Sequence, residues 1–247
     1  MVFSVKKPAA CALFSMMTLL FAGANPAVSA EKQISTWVVH QKNRWGNYIV
    51  YYSDQALRIE GSSQGVLVSK APKWDVFLYH TRDKRCAQIP LKLWTQKMSG
   101  RVNLKAMKQA PVKEKIAQID VLTYRFPINS EVDVTGGTNA LYQSRMINKY
   151  AICSVFSFDA NSKRFNTIPI IIWNCFLEFP YSGRVPINAY ILVKNGEKEL
   201  VLESTKQESK LMPASKFEKP QGLKMVNDPP LSVFMGKGIL DATELLF

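Results

Sequence analysis

Tyr48-Ile49-Val50-Tyr51-Tyr52, then Ser53-Asp54-Gln55, then Ala56-Leu57-Arg58-Ile59-Glu60 read as strand, turn and strand. The first segment is β-branched and aromatic. The last alternates, with Leu57 and Ile59 on one face and Arg58 and Glu60 on the other, the period of two that marks a half-buried strand. The same pattern extends outward in both directions. Trp37 to Gln41 precedes it across the turn Asn43-Arg44-Trp45-Gly46-Asn47. Val66 to Val68, Trp74 to His80 and Arg85 to Ile89 follow it, separated by Gly61–Gly65, Ala71-Pro72-Lys73 and Thr81–Lys84. Short strands joined by polar turns predict an antiparallel sheet or barrel, a mainly β fold with minor α.

Residues 90–112 interrupt the pattern. Trp94 to Met107 reads as a helix broken at Gly100 and ended by Pro111, and strand character resumes at Ile119 to Phe126. A loop follows to Gly137, and Asn139 to Asn148 reads as a second helix. Tyr150–Phe158, Ile170–Phe179, Ala189–Val193 and Leu200–Thr205 read as further strands, the last two joined by Asn195-Gly196, a strong hairpin signal. Leu231 to Phe247 reads as a short terminal element. With no internal repeat or linker, residues 31–247 are expected to be a single domain.

The first thirty residues carry Lys6 and Lys7, an uncharged apolar run from Ala9 to Ala24, and the small residues Val28-Ser29-Ala30. This order predicts a signal peptide, 1–30, cleaved after Ala30, with Ala24 as the competing position. The expected destination is outside the cytoplasm, the periplasm first and the extracellular space second. The run is shorter than the ~20 apolar residues of a spanning helix.

The net charge of +13 becomes +11 once Lys6 and Lys7 are removed, and it favours encounter with anionic surfaces. Lys92, Lys97, Arg101, Lys105, Lys108, Lys113 and Lys115 stand against only Glu114 in one stretch. That strip is either a solvated face or a docking strip for an anionic membrane or acidic protein, and Lys97, Arg101, Lys105 and Lys108 are its candidates. Nucleic acid ranks third, because the strip holds only Trp94 as an aromatic. Cys86, Cys153 and Cys175 show no metal-ligand spacing, so no metal site and no cofactor are expected; buried thiols are the simplest reading. His40 and His80 sit in no nucleophile motif, the carboxylates are scattered, and no phosphate-binding loop is present, so catalysis is not expected.

Three stretches together resemble a known class. They are Tyr51–Glu60 with Val66-Leu67-Val68 and Ala71–Tyr79; Lys115 to Phe126; and Pro213-Ala214-Ser215-Lys216-Phe217-Glu218-Lys219-Pro220-Gln221-Gly222-Leu223-Lys224. Their order is similar to that of exported proteins of the LolA/LolB-like class, which includes related bacterial families of unassigned function. Gln118 stands where such families often carry glycine, and Leu223 where an aromatic is usual. The resemblance implies a curved antiparallel sheet, an unclosed half-barrel whose concave side is covered by one or two helices or loops. In the lipoprotein carriers of that class the cavity holds acyl chains, and sensing relatives use the same fold. It carries no functional residue over to this chain.

Trp74, Val76 and Leu78 alternate with Asp75, Phe77 and Tyr79, so both faces of that strand are apolar or aromatic. A sheet wetted on one face would alternate with polar residues. Something apolar besides the core must therefore meet the second face, either covering helices or a ligand. The expected function is a non-catalytic binding protein for a lipid-like or amphiphilic ligand, with Leu57, Ile59, Trp74, Val76 and Leu78 as candidate ligand-binding residues. The alternatives are an envelope sensor or protein-interaction domain on the same fold and, third, an enzyme with a site not visible in sequence.

Overall fold

A computed structural model describes residues 31–43, 46–99, 110–127, 151–162, 166–177, 179, 182–227 and 233–234. The expected signal peptide, 1–30, and the expected helix at Asn139–Asn148 lie outside the described residues. The alternating segments form β1 (Gln33–Asn43), β2 (Gly46–Tyr52), β3 (Ala56–Gly61), β4 (Gly65–Lys70), β5 (Val76–His80) and β6 (Arg85–Ile89). After α1 (Leu91–Ser99) come β7 (Val112–Ile116), β8 (Ile119–Pro127), β9 (Ala151–Asp159), α2 (Thr167–Leu177), β10 (Pro186–Val193) and β11 (Lys198–Pro213). A 3-10 turn (Ala214–Phe217) and β12 (Lys224–Met225) complete the described elements.

The strands make one unclosed sheet of twelve in the order β12-β6-β5-β4-β3-β2-β1-β11-β10-β9-β8-β7. The long β11 joins the two halves by running antiparallel to β1 from Gln33 opposite Pro213 to Asn43 opposite Leu202. The fold is therefore mainly β, an open half-barrel with α1 and α2 on its concave side. One pairing departs from the antiparallel rule: Lys224 and Met225 run parallel to Arg85 and Cys86.

Alternation sorts the apolar side chains to two faces. Val50, Leu57, Ile59, Leu67, Val76 and Leu78 share the main core with Ile170, Ile172 and Trp173 of α2. Their sequence neighbours Val66, Val68, Phe77 and Tyr79 pack with Cys86 and Leu223 in a second cluster, and Ile34 and Ala56 pack with Phe217 in a third. Helices cover the concave face and the segment after β11 covers part of the convex one, which is why these strands lack a wetted face.

Four expectations are corrected. Ile170–Leu177 is not strand but lies in α2, and Phe179, expected in the same strand, lies beyond the end of the helix. Asn166 Oδ1 accepts the Ile168 N–H at 3.0 Å as an N-cap. Pro169 falls in the first turn, where its missing N–H removes no intrahelical bond. Second, β5 starts at Val76 rather than Trp74, because Trp74 holds φ +57 and breaks the extended backbone. Third, β7 precedes β8 as an unforeseen partner, its alternate lysines Lys113 and Lys115 being exposed rather than core-facing. Fourth, α1 begins at Leu91, before Trp94, and β11 runs on past Thr205 to Pro213.

Candidate functional site

The five candidate ligand-binding residues come together on the concave face. Leu57, Ile59, Val76 and Leu78 are 0% exposed and Trp74 is 4% exposed. Register aligns them: Ile59 lies opposite Leu67, which lies opposite Leu78 on its other side, while Leu57 lies opposite Ser69. Trp74 is placed by its left-handed backbone, held by its N–H to Lys70 O at 2.9 Å. These residues form the floor.

The roof is α2 with α1. Ile170, Ile172, Trp173 and Cys175 are fully buried, and the Trp173 ring leans on Tyr52 at 5.5 Å and 47°. Trp94 of α1 donates its indole N–H to Ile172 O at 3.4 Å, coupling the two helices. The start of α2 is pinned to the β2–β3 turn, where Asn166 N donates to Asp54 Oδ1 at 2.9 Å and Asn166 Nδ2 to Asp54 O at 3.0 Å.

Buried side-chain polar atoms that lack a hydrogen-bond partner include Ser69 Oγ on β4, opposite Leu57, Gln41 Oε1 on β1, and Trp173 Nε1 and Asn174 Oδ1 on α2. Gln41 still donates through Nε2 to Pro186 O at 2.9 Å and Ser204 Oγ at 3.1 Å. Buried polar groups are ordinarily paired, and these four atoms are not. Burial pushes the Cys175 thiol up to about 12, keeping it neutral. Cys86, Cys153 and Cys175 are all free. His80 is tied into a turn, with Nε2 2.7 Å from Ser63 O and Nδ1 accepting the Asp83 N–H at 3.3 Å. His40 faces Glu208 at 3.8 Å on the other half of the sheet seam. Among the described residues no group of three or more His, Cys, Asp and Glu could hold a metal ion.

On the convex face the strap after β11 is fastened by charge. Glu60 takes Lys216 Nζ at 2.7 Å and Arg58 Nε at 2.6 Å, and Arg58 also donates to Lys216 O at 2.9 Å. Lys216 lies 4.7 Å over the Tyr51 ring and Lys219 lies 5.4 Å over Phe77. Beside this strap an open groove of 490 Å³ is lined by Lys70, Lys73, Asp75, Phe77, Gln88 and Lys219, among others. Sequence reasoning missed the strap's anchor, Phe217, 1% exposed among Ile34 and Ala56, because an isolated apolar residue after a strand has no periodicity. It also missed Asn166, whose signal was an Asn three residues before a proline. Of the docking candidates, Lys97 belongs to α1, and Arg101, Lys105 and Lys108 lie outside the described residues.

No protein-family model matches the chain, and no curated protein matches it. Among solved structures, an uncharacterized conserved protein from Thermus thermophilus is similar at 11% identity and a TM-score of 0.41, over 78% of this chain and 90% of the other. A putative outer membrane lipoprotein-sorting protein domain from Vibrio parahaemolyticus is similar at 9% identity and a TM-score of 0.22, over 78% and 86% of the two chains. Both TM-scores fall below 0.5, so neither likeness bears on what this site does. Among the described residues no helix is long and apolar enough to cross a membrane.

Proposed function

We propose that this is an exported, non-catalytic binding protein of the LolA-like class, with the periplasm as its compartment. It holds an amphiphilic acyl ligand between the concave face and α2. The observation that carries the reading is the interface itself, an apolar floor under an apolar helix, with Ser69 Oγ and Trp173 Nε1 buried and unpartnered within it. An acyl chain needs the first feature and its polar head the second.

Titration with dansylated undecanoic acid tests the reading. The protein is expected to bind it saturably, and Leu78→Trp, which fills the floor, to weaken that binding. Absence of saturable binding by the parent protein counts against an acyl ligand. A protein-interaction domain is the second reading, favoured by the convex groove, where Lys73, Asp75 and Gln88 offer polar contacts around Phe77.

A further inference from the structure

The 490 Å³ groove beside the strap has an apolar floor and a charged rim. Phe77 of β5 and Val68 of β4 supply the floor, both from the second, convex cluster. Val68 is buried, but Phe77 is only half-buried where it lines the groove. A sheet face turned to water would ordinarily carry a polar residue at such a position.

The two carboxylates of the rim are already engaged. Glu218 pairs with Lys70, and Asp75 Oδ2 accepts a hydrogen bond from Gln88 Nε2 at 2.9 Å. Lys73, in the β4–β5 connection, and Lys219, in the strap, are exposed, and among the described residues neither forms an ion pair. Lys219 instead lies 5.4 Å over the Phe77 ring, a contact that leaves its charge uncancelled. Two uncompensated ammonium groups from separate segments therefore flank one aromatic floor.

That combination suits an occupant with an apolar group and carboxylates beside it. The groove is open to solvent, whereas sites for free small molecules bury ~70–90% of the ligand. A chain segment needs only a side chain or two seated there, with its flanks continuing outside. A second copy of this protein is disfavoured, because each chain carries +13 and the two repel.

We propose that this groove is a docking site for a short acidic segment of a partner protein. An apolar side chain of the segment packs on Phe77, and its carboxylates meet Lys73 and Lys219. The proposal rests on the protein-interaction reading above and is independent of the acyl ligand, which lies on the other face of the sheet.

The test is fluorescence anisotropy of the full chain with the fluorescein-labelled peptide Gly-Asp-Phe-Asp-Leu-Asp-Gly. Two further peptides carry Asn or Lys in place of every Asp. The acidic peptide is expected to bind saturably, and the double variant Lys73→Gln/Lys219→Gln to bind it about tenfold more weakly, as loss of two exposed ion pairs implies. Lys113→Gln/Lys115→Gln removes the same charge from β7 and is expected to bind like the parent. Equal weakening by the two double variants reduces the binding to general charge attraction and overturns the proposal. Binding of the Lys peptide as tight as that of the acidic one overturns the acidic partner but leaves the groove an interaction surface. No saturable binding of any of the three peptides overturns both.

Discussion

Glu60 shows how a half-buried charge can fasten one layer to another. Burial alone would raise its pKa, but the hydrogen bonds and charges of Lys216 and Arg58 outweigh burial and hold the carboxyl below its ordinary value of 4.5. A carboxylate with a depressed folded-state pKa stabilises the fold fully above its unfolded value. That contribution is lost as the pH falls through the folded value. The strap is therefore expected to loosen in acid below about pH 4.5 and to be insensitive to pH from there to neutrality, so far as Glu60 is concerned. Denaturant melts of the parent and of Glu60→Gln across that window check this: the acid limb should be shallower in the variant. Parallel limbs would show that the pair contributes no linkage. The neighbouring phenols behave consistently. Desolvation, with Glu60 second, pushes Tyr51 up to about 12, so its ring stays neutral beneath Lys216 over the whole range.

The β7–β8 hairpin turns through Ala117 and Gln118, with φ +46 and +70, two successive left-handed residues of the kind a tight hairpin requires. Glycine would meet that demand without Cβ strain, so Gln118→Gly is expected to stabilise the protein by about 1 kcal/mol, read as a higher midpoint in urea. A lower midpoint would place the side chain, not the backbone, in control of the turn. The element scale is also where sequence and structure part. Leu57, Ile59, Val76 and Leu78 were legible as one face because period-two alternation is the geometry of a strand, and the fold class followed from it. The Asn195-Gly196 turn was legible for its chemistry, and Gly196 takes φ +83 there. The roof was not legible. Ile168 to Leu177 is apolar on every side, so neither period can be read from it, and only Asn166 and Pro169 signalled a helix start.

Across the whole molecule, the concave face, its helical roof and the charged strap serve different ends. In the proposed function the apolar interior would take the ligand, and the cationic strip would bring the protein to an anionic surface. Each cation near an anionic membrane contributes about 1 kcal/mol within a Debye length. Replacing Lys97, Arg101, Lys105 and Lys108 by Gln is expected to weaken binding to anionic phospholipid vesicles at low salt, with acyl-probe affinity unchanged. Equal binding of parent and variant to anionic and neutral vesicles would mark the strip as solvated surface. The central claim is that an acyl amphiphile lies between sheet and α2. Native mass spectrometry of the protein, purified without detergent, tests this most directly. The account predicts one acyl species bound per chain, removed by organic extraction and restored by incubation with the extracted lipid. A bare chain in every preparation, taking up none of that lipid, would contradict it.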